Sequence, residues 1–383
     1  MPFLPRLKAR GLLERMKIAV VGVGGTGSAA CLALAKAGHK VAGYEQFSLG
    51  HARGSSHGES RIIRYTYPDS LYTEMMAEAY PLWADLEAEA GEELFVRCGG
   101  LLFGGEEQEF LTRTRASLDS VGLPYELFGP EAARERFPAL RLAAGEIALF
   151  QNDSGFLRST RCVLANVRLA RQYGAVLRAE TAVTEITEKG DQAVVHTAGG
   201  DAEAFDGVLV TAGAWMGKLF ASLGLPLSVA RRQVVYLEIA RRPELFAPER
   251  FPVWIDAESL YYGFPSDGRI PGVKLASHTS GAAVDPDEDD RAPEQSAIDD
   301  AVRLAARRFP DLSGTAVWTQ VCLYTSTPSE DFIIDKAPGM RNVALVSACS
   351  GHGFKFTPLL GKIGAGLVTG ETCGRDLSRF AIG

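Results

Sequence analysis

Apolar positions along the chain follow two periods, and the switches between them divide it into pieces. Residues 17–22 (KIAVVG) form a continuous β-branched run ending in glycine, the pattern of a strand buried on both faces. The stretch GVGGTGSAACLALAKAGHKV that follows predicts a glycine turn and a small-residue helix over about 26–37, closed by Gly38. A second strand is predicted at 41–45, which completes a βαβ unit. A polar, glycine-rich stretch then runs to about residue 61, and residues 70–90 carry helical periodicity. A second α/β piece starts near Gln151. It has a helix over about 160–173, strands at 175–177, 182–186 and 193–197, and an apolar run at 207–215. Residues 231–280 read as antiparallel strands (QVVYLEI, LYYGFP, VKLASH) separated by turn residues. An acidic stretch, DPDEDDRAPEQ, precedes a predicted helix at about 297–309. From Val343 the order is again strand, glycine turn and helix. Three α/β pieces with β-rich segments between them predict two domains that interleave.

Composition agrees with such a globular chain. Its 383 residues are 46% hydrophobic and 23% charged, enough for roughly two or three domains with their own cores. The balance of 40 basic against 47 acidic residues, a net charge of −7, argues against a nucleic-acid partner. No run approaches the roughly 18 apolar residues of a membrane span. The cysteines, Cys31, Cys98, Cys162, Cys322, Cys349 and Cys373, are scattered. They form neither a C-x-x-C pair nor a zinc-ligand spacing, so a reducing cytoplasm and no metal are expected. Residues 1–15 lack the continuous apolar stretch of a signal peptide. They read as an N-terminal extension, with a start at Met16 as the alternative.

Gly22-x-Gly24-x-x-Gly27 follows a strand and opens a helix, and Glu45 ends the second strand 23 positions after Gly22. Glycines there permit a tight turn and close approach of the backbone to a pyrophosphate. The helix amino end meets the phosphate charge, and the acid accepts a ribose hydroxyl. This fingerprint predicts dinucleotide binding but does not separate NAD from FAD.

The other motifs do separate them. TAGAW (211–215), closing an apolar strand, resembles the second dinucleotide contact of the FAD-dependent amine and amino-acid oxidases. Four further motifs occur in order: GSSHGESRIIR (54–64), YYGFP with VKLASH (261–278), CLYTSTPSEDFIID (322–335) and SGHGFKF (350–356). Together they resemble the monomeric sarcosine oxidase and N-methyltryptophan oxidase family over nearly the whole chain from about Met16.

The resemblance implies an α/β chain in which a glutathione-reductase-like FAD-binding domain (16–95, 152–226 and 323–383) is interleaved with an antiparallel-sheet substrate domain (96–151 and 227–322). The site would lie between them. FAD would be held by Gly22, Gly24, Gly27, Glu45, Ser56, Val183, Gly213, Gly351, Gly353 and Lys355, and joined through its 8α-methyl to the sulfur of Cys322. Arg64 and Lys355 match cations that hold the substrate carboxylate, as an Arg fork and a Lys point charge are suited to do. Arg61 and Lys274 match cations over the flavin ring. Lys274 matches the residue that activates O2, since a fixed, desolvated cation stabilises superoxide. His57, His278, Tyr262 and Tyr324 match positions around the substrate, and His352 is expected to act through its backbone. The helix beginning near Pro358 would aim its positive end at the flavin.

The implied reaction is oxidation of a secondary, N-methyl or cyclic amino acid with O2 as acceptor and H2O2 as product. The implied protein is a cytoplasmic monomer with no nucleic-acid or membrane partner. Alternatives are a dehydrogenase using another acceptor, a non-catalytic flavin-binding subunit of a larger complex, and an NAD dehydrogenase resting on the glycine fingerprint alone. Taken singly, each candidate also has an ordinary role: a surface ion pair for Arg or Lys, an inert buried thiol for Cys, packing for Tyr and His. Ser60, Asp69 and the lengthened SDGRIPGV stretch depart from the family pattern. The last two fall near the expected entrance and leave the substrate's side chain open.

Overall fold

The computed structural model describes residues 15–279, 281–371 and 374–382; the extension up to residue 14 and Cys373 lie outside them. Its first strand, Lys17–Val21, is flanked on both sides by parallel partners, Lys40–Tyr44 and Gly207–Val210. Helix Gly25–Lys36 covers one face and residues 186–205 the other, so the strand has no solvent side and needs no alternation. The full sheet has six strands in the order Ile333–Lys336, Val343–Ser347, Gly207–Val210, Lys17–Val21, Lys40–Tyr44 and Val176–Arg178. It is parallel except at the Ile333–Lys336 edge, which runs antiparallel to Val343–Ser347. Helices Ser159–Gln172 and Thr357–Thr369 pack beside Gly25–Lys36. A three-stranded meander, Val183–Lys189, Gln192–Thr197 and Ala202–Phe205, packs Ile186, Val195 and Phe205 against Val208 and Val210 of the sheet.

An eight-stranded sheet follows the order Leu312–Ser326, Ser228–Ile239, Val273–Ser277, Tyr261–Gly263, Val253–Asp256, Gly100–Gly105, Glu146–Gln151 and Glu126–Phe128. Its pairings are antiparallel apart from one, Val253–Asp256 on Gly100–Gly105. That pair joins the half of the sheet built from residues 100–151 to the half built from 228–326, two stretches far apart in the chain. Phe103, Trp254, Phe251 and Phe309 fill the core beneath it, covered by helix Gln295–Arg308. Arg308 ties that helix to two strands through Glu146 (2.6 and 2.9 Å) and the fully buried Asp256 (3.0 Å).

Two features of this architecture place the site. The long strands Ser228–Ile239 and Leu312–Ser326 pair over most of their length, with Arg232 opposite Cys322 and Ala230 opposite Tyr324. A small sheet of Arg61–Ile63, Gly155–Leu157 and Phe95–Arg97 sets the glycine-rich 54–64 stretch beside them. Among the described residues no helix is long and apolar enough to cross a membrane.

Candidate functional site

A cleft of about 440 Å³ opens where the βαβ turn, the loop after Gly207–Val210 and the C-terminal glycine turn converge. Gly22, Gly24, Glu45, Ser56, Arg61, Val183, Gly213, Tyr324, Gly351 and Gly353 lie on its wall. Gly27 does not, and its role is packing: a Cβ there would sit 1.8 Å from the Gly22 carbonyl oxygen. The amide of Val23 donates to Glu45 Oε2 (3.0 Å), and the Gly25 amide at the helix start donates to Ser56 Oγ (2.9 Å). Glycine walls, helix-start amides that donate and a buried carboxylate at the end of the second strand that accepts are the groups a dinucleotide needs, and the volume is in the range of cofactor sites. FAD therefore fits the residues present. The C-terminal turn is held in a conformation few residues adopt: Ser350 has φ +60° and Gly351 φ +74°. A Cβ on Gly351 would fall 1.9 Å from the Tyr324 ring, so the turn and that ring can touch only through glycine.

The acidic 285–294 stretch crosses to this cleft. Asp287 is on the wall and accepts from Trp215 Nε1 (2.6 Å), and Lys218 Nζ reaches Asp285 (2.6 Å). Arg291 donates to the Arg53 carbonyl (2.8 Å).

Beside the cleft the structure gathers the cations. Lys274, 3% exposed, donates to the Ser60 carbonyl (2.9 Å) and hydroxyl (3.1 Å), with Nζ 4.3 Å from the Phe264 ring centre. Lys355, 5% exposed, donates to Tyr67 Oη (2.9 Å) and the His352 carbonyl (2.8 Å). The Arg64 guanidinium lies 4.2 Å from the centre of the same Tyr67 ring. Arg61 donates to the carbonyls of Ser60 and Ser55, both at 2.9 Å. Among the described residues none of the four has a carboxylate within 4.0 Å. The surface ion pair that is the ordinary fate of such side chains is absent. Burial lowers both lysines well below their usual range, Arg61 adding to the effect at Lys274 and Arg64 at Lys355. Burying cations without anions is costly, so the arrangement is built to receive negative charge.

The histidines and tyrosines join the two halves of this chamber. Tyr262 and Tyr324 share a hydrogen bond between hydroxyls (3.0 Å), and the His278 ring packs edge-on to Tyr324 with 5.8 Å between centres. Burial, then Arg232, Arg64 and Lys355, push His278 down to about 4. His57 is pushed down to about 3 by burial, Arg61 and Lys274, with the Gly54 backbone opposing the shift. His352 contributes its carbonyl to Lys355, and its ring meets Tyr67 Oη (3.2 Å) and the Glu330 carbonyl (3.0 Å). Cys322 is buried at 6% exposure and off the cleft wall, one residue from Leu323, which lines it. Burial raises its thiol while Arg61, Lys274 and Arg232 oppose the rise.

Arg232, absent from the sequence-derived candidates, belongs to the same chamber. Its guanidinium lies 4.9 Å from the Tyr324 ring centre, and Nε donates to the His278 carbonyl (3.1 Å). Only the pairing with Leu312–Ser326 brings it there. The neighbouring Arg231 points to Asp289 instead (3.0 Å). Alternation along the strand was the available signal: Arg231 and Arg232 must face opposite sides. Tyr67, shared by Arg64 and Lys355, had no signal beyond its closeness to the RIIR motif. No group of three or more His, Cys, Asp or Glu able to hold a metal occurs among the described residues.

The family described as FAD dependent oxidoreductase matches residues 17–367. The chain is 34% identical to a monomeric sarcosine oxidase of Streptomyces avermitilis, over 95% of this chain and 96% of that protein. It is 35% identical to the human peroxisomal sarcosine oxidase, over 95% and 94%. Among solved structures, NikD, an unusual amino acid oxidase essential for nikkomycin biosynthesis, superposes in its open form with a TM-score of 0.83. The overlap covers 96% of this chain and 98% of that one at 24% identity, a likeness of fold.

Proposed function

Because this chain belongs to the FAD dependent oxidoreductase family, we propose that it oxidises secondary amino acids of the N-methyl or cyclic kind and uses O2 as acceptor. Relatives named for sarcosine and for N-methyl-L-tryptophan support that substrate class. The observation that carries the reading is the set of cations, Arg61, Arg64, Lys274 and Lys355, gathered without carboxylate partners beside a dinucleotide cleft.

When bound, FAD would supply a two-electron acceptor. The turn from Gly22 to Gly25, Glu45, Val183 and Gly213 would hold its nucleotide part, and the 350–353 turn its ring. The amino end of the helix Thr357–Thr369, which reaches the cleft wall at Thr357, would add positive field there. In this reading Arg64 and Lys355 bind the substrate carboxylate, and Tyr67 fixes both cations by touching each. The amine must be neutral to release its electrons. A chamber of cations lowers the basicity of an amine placed within it, because an ammonium there meets only like charge. His57 and His278, both neutral at pH 7, spare the site further positive charge. Lys274 supplies the fixed cation that favours the negative charge O2 acquires on reduction. Cys322 tethers the flavin through its sulfur: burial opposes the thiolate, and Arg61, Lys274 and Arg232 favour it. The interleaved domains with the site between them, and a monomeric cytoplasmic protein, complete the proposal.

The test is peroxide production from sarcosine and from cyclic amino acids in air-saturated buffer. Substrate-dependent flavin reduction with stoichiometric peroxide is the expected result, and turnover without peroxide overturns the oxidase assignment. Acid precipitation checks the tether: yellow colour stays with the pellet in the parent protein and moves to the supernatant in Cys322→Ser.

A further inference from the structure

Lys274 also borders a second cavity of about 10 Å³, room for one water molecule, which shares no lining residue with the cleft. Its wall holds Ser60, Tyr236, Glu59 and Asp267 besides Lys274 itself. The Lys274 ammonium gives two of its N–H bonds to Ser60, and the buried Tyr236 phenol lines the same cavity wall as Ser60. Asp267 is paired with Arg158 (2.7 Å), and Glu59 faces Arg269 (3.7 Å) near the surface. A polar path thus leads from solvent-side carboxylates, through a water-sized space and two hydroxyls, to Lys274.

The proposed reaction requires such a path. In it the CH–NH unit of the substrate and one O2 become a C=N unit and one H2O2. The electron pair leaves the substrate carbon with one hydrogen, and the second hydrogen leaves the nitrogen as a proton. O2 takes up both electrons and two protons, so one proton must reach it separately from the electron pair. An ammonium that gives a proton to reduced oxygen is left neutral and must be recharged before the next turnover.

We propose that the cavity beside Lys274 is a proton inlet in which a single water, Ser60 and Tyr236 return a proton to Lys274 from the Asp267 and Glu59 carboxylates. Tyr236 and Asp267 are then positioning residues, acting on oxygen only through Lys274. The groups near its Nζ are Arg61, on the cleft wall, Cys322, and on the cavity wall the Phe264 ring, Ser60, Glu59 and Asp267. The two carboxylates favour the charged lysine, and Arg61 drives its proton off.

This inference rests on the oxidase reading, and its test separates the two. Holoenzyme reduced by substrate under anaerobic conditions is mixed with O2 in H2O and in D2O over a range of pH. Tyr236→Phe is expected to slow reoxidation about tenfold, with a larger solvent isotope effect and a shifted pH profile, while reduction by substrate is unchanged. Asp267→Asn is expected to act in the same direction, and Tyr236→Phe keeps the test open if the loss of the Arg158 pair unfolds that variant. A crystal structure supplies a readout independent of turnover: an ordered water within hydrogen-bond distance of Lys274 Nζ and Asp267. Wild-type reoxidation and pH profile in Tyr236→Phe, or a dry cavity, overturns the inlet. If Lys274→Met itself reoxidises like the parent, the oxygen-site reading of Lys274 fails first, and the inlet fails with it.

Discussion

The dinucleotide cleft and the cationic chamber adjoin each other but are built on different principles. The cleft is a backbone structure: Gly22, Gly24, Gly213, Gly351 and Gly353 present main chain, and the side chains that matter, Glu45 and Ser56, hydrogen-bond to amides. The chamber is a side-chain structure assembled from five separate stretches of chain. Arg61 and Arg64 come from one, Arg232 from a second, Tyr262 and Lys274 from a third, Cys322 and Tyr324 from a fourth, Lys355 from the last. A backbone site tolerates change wherever glycine is not required and fails abruptly where it is. A side-chain site can lose one function at a time.

Substitutions can break that comparison on either side. The largest effect is expected from Lys274→Met. Loss of the fixed cation should slow reoxidation by O2 by ~10²–10³, the scale of removing one preorganised electrostatic donor, with flavin content and anaerobic reduction preserved. Stopped-flow measurement of the two half-reactions checks it, and an equal loss in both would erase the distinction between chamber and cleft. Gly27→Ala acts on the other side. Its methyl group meets the Gly22 carbonyl, so a destabilisation of about 1–3 kcal/mol and reduced flavin content are expected, read from denaturant midpoints and absorbance. Arg64→Ala should raise KM for the amino acid by about tenfold, with kcat changed less, as loss of a charged contact to substrate does. An unchanged KM would remove Arg64 from the substrate pocket.

The smallest effect concerns pH. His57 titrates near 3 in the folded chain, against an ordinary value of 6.5. The folded form stays neutral where the unfolded form takes up a proton, so stability is full above 6.5 and falls as pH drops towards 3. Between pH 6.5 and 5.5 the parent should lose about 1 kcal/mol that His57→Leu does not lose, measured by chemical denaturation at each pH. Equal slopes would show that the ring is not held neutral by burial.

Much of the cleft was legible in the sequence, because a glycine fingerprint, its strand and its helix are contiguous and each obeys a local rule. The glycine-turn helix, expected over about 26–37, runs Gly25–Lys36, and the helix expected over 70–90 is Ser70–Ala90. The Val253–Asp256 strand was missed, being only four residues long, and its parallel pairing depends on residues 100–105 far away in the chain. The chamber's candidates came from motif resemblance, and what they do to one another was out of reach. Nothing local says that Cys322 lies opposite Arg232, that Tyr67 serves both Arg64 and Lys355, or that His57 is buried beside Arg61 and Lys274.

By itself the sequence determined the βαβ unit, the glycines that only a close backbone approach explains, the acidic residue at the second strand, and the chemical kinds of side chain available. Those follow from short-range sterics and periodicity, which act between residues near in the chain. Only the tertiary structure decided that four cations, two of them buried lysines, would gather with no carboxylate within 4.0 Å of any of them among the described residues. A net charge of −7 says nothing of that field, because charge neutralisation depends on distances of a few ångströms between residues that the strand register, not the chain order, brings face to face.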